Sequence, residues 1–317
     1  MLKLLITRPL PDRVIAKARG FFDTTVREKT TPLSREELVA SLKDYDLVLP
    51  TLGDMYSAEV FEAVSDPRAR AIANFGVGYN HIDTQAANNA GIPVSNTPGA
   101  VTDATADIAV MLMLMTSRRA AEGERMVRSQ SWGGWHPTQL LGLHMSGKTL
   151  GIVGMGRIGQ AVAHRAHHGF GMTIKYFNRS PKTVDIPAEQ IDSLSGLAGQ
   201  VDIMVIAVPG GNATHHLINA EILSAMQPHA HLVNIARGDI VKEADLIEAL
   251  ENGKIAGAGL DVYEFEPKVP QALIDMENVT LLPHLGTAAL DVRENMGFMA
   301  LDNVIAASER KPLPNQV

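Results

Sequence analysis

Cysteine is absent from the chain, which excludes disulfides, thiolate nucleophiles, Cys-bound zinc and iron–sulfur clusters together, and nothing here needs an oxidising compartment. No excess of positive charge exists either. The 28 Lys+Arg face 35 Asp+Glu, a net charge of −7, and a chain of pI near 5.9 repels a nucleic-acid backbone instead of collecting it. Long hydrophobic runs are missing: the longest, Ile108 to Met115, has eight residues, far short of the ~18 of a membrane span. The opening stretch Met1 to Ile6 is too short for the apolar core of a signal peptide, so the expected compartment is the cytoplasm, with neither membrane nor nucleic acid as partner. Aromatics are scarce, at 5%. What is plentiful is aliphatic material: hydrophobic residues make up 45% of 317, too much for a disordered chain. At about 150 residues per domain this length suggests two cores, and small-molecule chemistry is the favoured class.

Short β-rich runs alternate with helical patterns from the start, the rhythm of βα units around parallel sheets. Strands are expected at Leu2 to Ile6, Leu47 to Leu49, Ala71 to Asn74 and Pro93 to Ser95, with one helix after Pro11 and another opened by the capping box Ser34-Arg35-Glu36-Glu37. Thr102 to Arg128 reads as one long helix whose Ile108, Met111, Leu112 and Met115 share a packing face. Ser129 to Gly147 is irregular and holds both tryptophans, Trp132 and Trp135, more aromatic surface than a spacer requires. A second alternation follows, with strands expected at Thr149 to Val153, Thr173 to Phe177, Asp202 to Ala207, His231 to Ile235, Gly257 to Leu260 and Val279 to Leu282. Their near-continuous apolar character is that of a sheet covered on both faces. The last helical pattern runs from Ala288 to about Ser308.

Directly after the first strand of that second alternation, Gly154-Met155-Gly156-Arg157-Ile158-Gly159 fits G-x-G-x-x-G and opens an amphipathic helix. Gly154 serves the tight turn, Gly156 the approach of a pyrophosphate, and Gly159 close helix packing, with the helix N-terminus facing the phosphates. Nineteen residues after Gly159, where an NAD-binding protein keeps an acid for the ribose 2′-OH, the chain has Asn178, then Arg179 and Ser180. The missing carboxylate removes repulsion against a 2′-phosphate, and the guanidinium and hydroxyl can bind one, so NADP is favoured, with NAD still possible.

Four further blocks accompany the fingerprint: Asn74-Phe75-Gly76-Val77-Gly78-Tyr79-Asn80-His81-Ile82-Asp83, Asn234-Ile235-Ala236-Arg237-Gly238, Gly259-Leu260-Asp261-Val262-Tyr263-Glu264-Phe265-Glu266-Pro267 and Leu282-Pro283-His284-Leu285-Gly286. With these five blocks in this order, the chain resembles the D-isomer-specific 2-hydroxyacid dehydrogenase family, most closely its glyoxylate/hydroxypyruvate reductase members. The resemblance implies two Rossmann-like doubly wound domains, residues 1–98 with 289–317 for substrate and 99–288 for the dinucleotide, with the active site in the cleft between them. It implies Arg237, Glu266 and His284 as the catalytic set. Reduction of a 2-keto acid asks for the same types: an imidazole to give the proton, a carboxylate to stabilise the imidazolium and orient the ring, and a guanidinium for the substrate carboxylate. Glu264 competes with Glu266 as an acidic loop residue, and only the position before Pro267 selects the latter.

By the same resemblance, the backbone N–H groups of Val77 and Gly78 hold the substrate carboxylate, Leu52 shapes the pocket, and Trp135, in an interface arm, closes over the active site of the other subunit of a homodimer. Asp261 accepts from the nicotinamide carboxamide, while Thr105, Val208, Pro209, Ala236 and Gly286 line the cofactor. Asp107 stands where the family commonly has Glu. Eleven histidines invite a metal reading, but His164 and His168 enclose Arg165-Ala166-His167 without the glutamate of H-E-x-x-H, so they read as a solvated helix face, His215 and His216 as loop residues, and no metal is expected. The expected activity is NADPH-dependent reduction of glyoxylate or hydroxypyruvate. The alternatives are an NAD-linked phosphoglycerate-type or erythronate-phosphate dehydrogenase, which the missing acid at 178 disfavours, and a dinucleotide-sensing corepressor-like protein, which has no need of the catalytic set.

Overall fold

A computed structural model describes all 317 residues, and the chain divides into two compact units, Met1–Val101 with Thr287–Val317, and Thr102–Gly286. Unit one holds β1 (Lys3–Ile6), β2 (Asp23–Val26), β3 (Leu47–Leu49), β4 (Ile72–Ala73) and β5 (Val94–Ser95). All are parallel, in the order β2-β1-β3-β4-β5, one of the two common doubly wound orders. Leu4, Leu5 and Ile6 stand opposite Leu47, Val48 and Leu49, and all six are buried, which is why both strands read as unbroken apolar runs. The edge strand β2, Asp-Thr-Thr-Val, alternates exposed and half-buried positions and gave no such run. The helix Arg35–Asp44 begins with the expected capping box: Glu37 N donates to Ser34 Oγ at 3.2 Å and Ser34 N to Glu37 Oε2 at 2.9 Å, a feature worth about 1 kcal/mol. The C-terminal helix Leu290–Ser308 lies on this unit, with Gly297 so close to Val14 that a Cβ there would come within 2.5 Å of it.

Unit two carries β6 (Thr149–Val153), β7 (Thr173–Phe177), β8 (Ala188–Gln190), β9 (Ile203–Ile206), β10 (His231–Asn234), β11 (Gly257–Leu260) and β12 (Val279–Leu281). These too are parallel, in the order β12-β11-β10-β9-β6-β7-β8. Strand order reverses between β6 and β9, the switch point at which an open α/β sheet forms a ligand crevice beyond its carboxyl ends. Successive residues of β9 serve opposite cores: Met204 and Ile206 pack with Leu232 and Leu260, whereas Ile203 and Val205 pack with Ile152 and Val233. Both faces of this sheet are therefore covered.

Two expectations for the 102–128 region need correction. The single helix is two, Thr102–Ser117 and Ala120–Arg128, broken where Arg119 takes a left-handed φ of 53°. A forked ion pair to Glu122 holds the break, with Arg119 Nε and Nη2 each 2.8 Å from a carboxylate oxygen. The inward face is also different. Ile108, Met111 and Met115 are only half-buried, and the fully buried line is Thr105, Ala109, Leu112 and Thr116 with Ala106 and Met113. The helix is apolar nearly all round, so periodicity cannot choose its inner side; small residues choose it by allowing close approach to the sheet, where a Cβ on Gly259 would stand 3.1 Å from Leu112 Cβ. Residues 129–147 form neither helix nor strand. No helix is long and apolar enough to cross a membrane.

Candidate active site

At the end of β10 the buried Asn234 folds the chain over itself: its Oδ1 accepts from Ala236 N at 3.0 Å and its Nδ2 donates to Arg237 O at 2.9 Å. Arg237 leaves this turn with Nη1 donating to Ala236 O at 2.6 Å and a buried Nε that has no hydrogen-bond partner. Burial lowers its pKa from the ordinary value, opposed by the carboxylates of Glu266 and Asp239. The next residue must be glycine, since a Cβ on Gly238 would fall 1.8 Å from the Tyr263 carbonyl carbon. The loop after β10 thus presses directly on the loop after β11.

That second loop carries Glu266. Its Oε1 accepts from Tyr263 N at 3.0 Å and its Oε2 from His284 Nδ1 at 2.9 Å. Burial works to raise the Glu266 pKa, but the hydrogen bond and charge of His284, the Tyr263 N–H and Arg237 outweigh it and hold the carboxyl below its ordinary range. A carboxylate only accepts, so Nδ1 carries the hydrogen in this pair, and Nε2, which makes no hydrogen bond within the protein, is the nitrogen left for exchange.

His284 follows β12 in the left-handed region, φ 54°, where a non-glycine residue costs about 1–2 kcal/mol. Asp261, 1% exposed, stabilises that turn: His284 N donates to its backbone O at 2.9 Å, Leu285 N to Oδ1 at 2.6 Å and Gly286 N to Oδ2 at 2.9 Å. Charge-assisted bonds of this kind contribute about 1.5–3 kcal/mol each, enough to offset the strain. Burial raises the Asp261 pKa against the pull of the Leu285 N–H, His284 and the Gly286 N–H. Thr105 Oγ1 donates to Gly286 O at 3.2 Å, tying the same turn to the helix Thr102–Ser117.

The glycine turn after β6 has the shape of a phosphate cradle. Gly154 sits at φ 100° with Val208 Cγ1 and Ala207 O only 2.6 and 2.8 Å from where a Cβ would be, and a Cβ on Gly159 would meet Gly154 O at 2.2 Å. Gly156 differs: nothing lies within 4 Å of its absent Cβ, so protein packing does not demand glycine there and the open space suits an approaching pyrophosphate. Gly156 also caps the helix Arg157–Phe170 without a side-chain hydrogen bond, leaving first-turn N–H groups and the positive end of the helix dipole turned to that space. The residues present fit a dinucleotide. Met155 N donates to Asn178 Oδ1 at 3.2 Å and Asn178 Nδ2 to Ser180 O at 2.7 Å. The Asn178 side chain thus braces the cradle, while Arg179 and Ser180 are exposed.

The structure brings Arg237, Glu266 and His284 to the carboxyl ends of the adjacent strands β10, β11 and β12. Val208 touches the glycine turn, Pro209 is exposed and Ala236 is buried. Leu52, Val77 and Gly78 belong to unit one. Leu52 O accepts from Arg8 Nη1 at 2.5 Å, and Val77 and Gly78 are half-buried after β4. Trp135 is 78% exposed within 129–147.

Several site residues escaped sequence reasoning: Asn234, Tyr263, the anchoring role of Asp261, and a network under the Glu266 loop. In that network Glu264 N donates to Glu243 Oε1 at 2.9 Å, Glu243 N to Glu264 Oε2 at 3.1 Å, and His216 Nε2 lies 2.7 Å from Glu264 Oε1. The rival to Glu266 is therefore a brace beneath it, and His216 is more than a loop residue. No sequence signal joins partners that are 21 and 48 positions apart.

Comparison with known proteins adds the following. Residues 110–286 match the family model for the D-isomer specific 2-hydroxyacid dehydrogenase NAD binding domain. A glyoxylate reductase of Thermococcus onnurineus (strain NA1) is 42% identical over 321 aligned positions, covering 99% of this chain and 95% of that protein. A glycerate dehydrogenase of Hyphomicrobium methylovorum is 38% identical, covering 96% and 95%. The crystal structure of an NADPH-dependent glyoxylate/hydroxypyruvate reductase from Sinorhizobium meliloti, in complex with NADP and malonate, superposes with a TM-score of 0.88 at 35% identity, covering 100% of this chain and 96% of that one.

Proposed function

The chain belongs to the D-isomer specific 2-hydroxyacid dehydrogenase family, and on that premise we propose that it reduces a small 2-keto acid, glyoxylate or hydroxypyruvate, to the D-2-hydroxy acid with NADPH, His284 giving the proton. The observation that carries this reading is the 2.9 Å pair of Glu266 Oε2 and His284 Nδ1, with Nε2 unengaged. A bound nicotinamide dinucleotide supplies the hydride. Gly154, Met155, Gly156, Arg157, Ile158 and Gly159 hold its pyrophosphate, and Thr105, Val208, Pro209, Ala236, Asp261 and Gly286 line its remainder. His284 donates from Nε2 to the carbonyl oxygen, and the ionised Glu266 stabilises the imidazolium and fixes the ring. Arg237 grips the substrate carboxylate and polarises the keto oxygen, its buried and partly unused N–H donors suiting an anion.

Preference for NADPH rests on the absence of an acid at 178 and on the exposed Arg179 and Ser180 beside Asn178. The same reading makes unit one the substrate domain, gives the carboxylate the amides of Val77 and Gly78 with Leu52 at the pocket wall, and has Trp135 close over the site of a partner in a homodimer. The absence of cysteine fits a cytoplasmic protein.

Side-by-side titration with NADPH and NADH, followed by loss of nicotinamide absorbance with glyoxylate, hydroxypyruvate and pyruvate, tests the activity. Turnover should be fastest with NADPH. Replacement His284→Ala should abolish reduction and leave NADPH affinity unchanged; loss of both together, or a wild-type protein inert to short keto acids with either coenzyme, would overturn the assignment.

A further inference from the structure

The loop after β4 is braced from beneath by two buried side chains. Asn74, 1% exposed, donates from Nδ2 to Gly76 O and to Gly78 O, each at 3.0 Å. Asn96, 8% exposed, donates from Nδ2 to Val77 O at 2.8 Å. Three consecutive carbonyls are thereby each held by a side-chain amide, and Gly76 O takes a further bond from Thr97 N at 3.1 Å. In a trans peptide the C=O and N–H of one unit point in opposite directions. The N–H groups of Val77, Gly78 and Tyr79 consequently face away from the two asparagines, and none of the three donates to another group of the protein. Residues 76–78 are half-buried and Tyr79 is exposed, so the loop is not closed within the core.

We propose that Asn74 and Asn96 are positioning residues that preform an anion nest of three amides, Val77, Gly78 and Tyr79, for the carboxylate of the 2-keto acid; the inference rests on the function proposed above and adds Tyr79 N–H as a third donor. Carbonyls only accept, so Asn74 must present Nδ2 to Gly76 and Gly78, and its Oδ1 then faces His81 Nε2 at 3.0 Å. His81 locks the amide against a flip that would set oxygen against oxygen. An unbraced loop of this composition would have to reverse peptide units on binding, whereas the braced one meets the anion with its donors already aligned, at no cost in ordering.

The test uses the whole protein and two variants. Asn74→Asp keeps the shape but places acceptors against two carbonyls; Asn96→Ala removes a single brace and keeps the other, so it should fold even if the first does not. Each is compared with wild type for kcat and KM towards glyoxylate and hydroxypyruvate, for the inhibition constant of oxalate as an unreactive carboxylate, and for NADPH affinity, which reports on unit two. The expected result is a KM and an oxalate constant raised in parallel, about tenfold for Asn96→Ala and more for Asn74→Asp, with kcat changed less than about threefold and NADPH affinity unchanged. A general folding defect would move all of these together. A KM and oxalate constant within about twofold of wild type for Asn96→Ala would overturn the proposal. Should the wild type fail to reduce keto acids, oxalate binding by calorimetry separates the two ideas: affinity weakened by Asn96→Ala keeps the nest while the enzymatic reading falls, and unaltered affinity removes the nest as well.

Discussion

His284 reaches its partner from a strained φ of 54°, and what it gains there is a hydrogen bond to a carboxylate held below its ordinary pKa. The Glu266 carboxylate therefore stays ionised through mildly acidic pH. Because the folded pKa is the lower one, the stabilisation this group gives is present in full above its unfolded value, near 4.3, and is lost only as pH falls below that value and through the folded one. Replacement Glu266→Gln removes the charge and one of the two accepted hydrogen bonds. With the amide oxygen turned to His284 Nδ1 the ring keeps its partner while the amide NH2 meets the Tyr263 N–H, and the imidazolium loses its counter-charge, so kcat at neutral pH should drop about 10²-fold with NADPH affinity unchanged. Stopped-flow or steady-state rates measure this directly; a variant within about threefold of wild type would leave Glu266 as a scaffold residue only.

At the scale of single strands, β10 begins with a group that resists protonation. His231 is buried between Gly257 of β11 and Ile203 of β9 in register. Burial pushes its pKa down to about 4, with the His229 charge adding to the effect and the His229 backbone opposing it. In the unfolded chain the same imidazole titrates near 6.5, so between those values the unfolded state binds more protons and stability rises with pH. The contribution is complete above about 6.5 and lost as pH falls towards 4, at most about 3 kcal/mol. Urea unfolding of wild type and His231→Phe across this window should give a flatter pH dependence for the variant, and parallel curves would refute the assignment. The strand also marks what was readable without coordinates. β1, β3, β6, β9 and β10 are buried on both faces, and their apolar runs stand out, whereas β2 (Asp-Thr-Thr-Val) and β8 (Ala-Glu-Gln) lie at sheet edges and carry no such mark. The break at Arg119 was invisible because an arginine with positive φ has no sequence signature. The glycine turn was legible because backbone clashes permit nothing else at 154 and 159. Asn234, the Asp261 anchor and the Glu243–Glu264–His216 network were not, because strand order, which brings them together, is absent from local pattern.

For the whole molecule the telling feature is where apolar surface remains in water. Trp132 and Trp135 are 51% and 78% exposed, Leu141 67% and Val127 60%, all in or beside the irregular segment 129–147. The only hydrogen bond of the Trp132 indole is to Gln139 Oε1 at 3.3 Å. An aromatic side chain buries about 150–250 Å², so covering two indoles at about 25 cal/mol per Å² is worth several kcal/mol before the entropy of association is subtracted. Solitary exposed apolar residues are ordinary on a protein surface, and such a grouping on one segment is what supports the proposed homodimer contact. Opposing this is the charge of −7 on every chain, which repels a second copy and is screened by salt. The proposed homodimer should therefore tighten as ionic strength rises, unlike an assembly held by ion pairs. Sedimentation equilibrium should give twice the chain mass of 34.1 kDa at micromolar protein, and the paired replacement Trp132→Ser with Trp135→Ser should weaken association at least about 100-fold while each chain keeps its dinucleotide affinity. A wild type that sediments as a single chain at about 50 µM in both low and high salt would remove the arm from any role in assembly, and the placement of Trp135 over a partner's site would go with it.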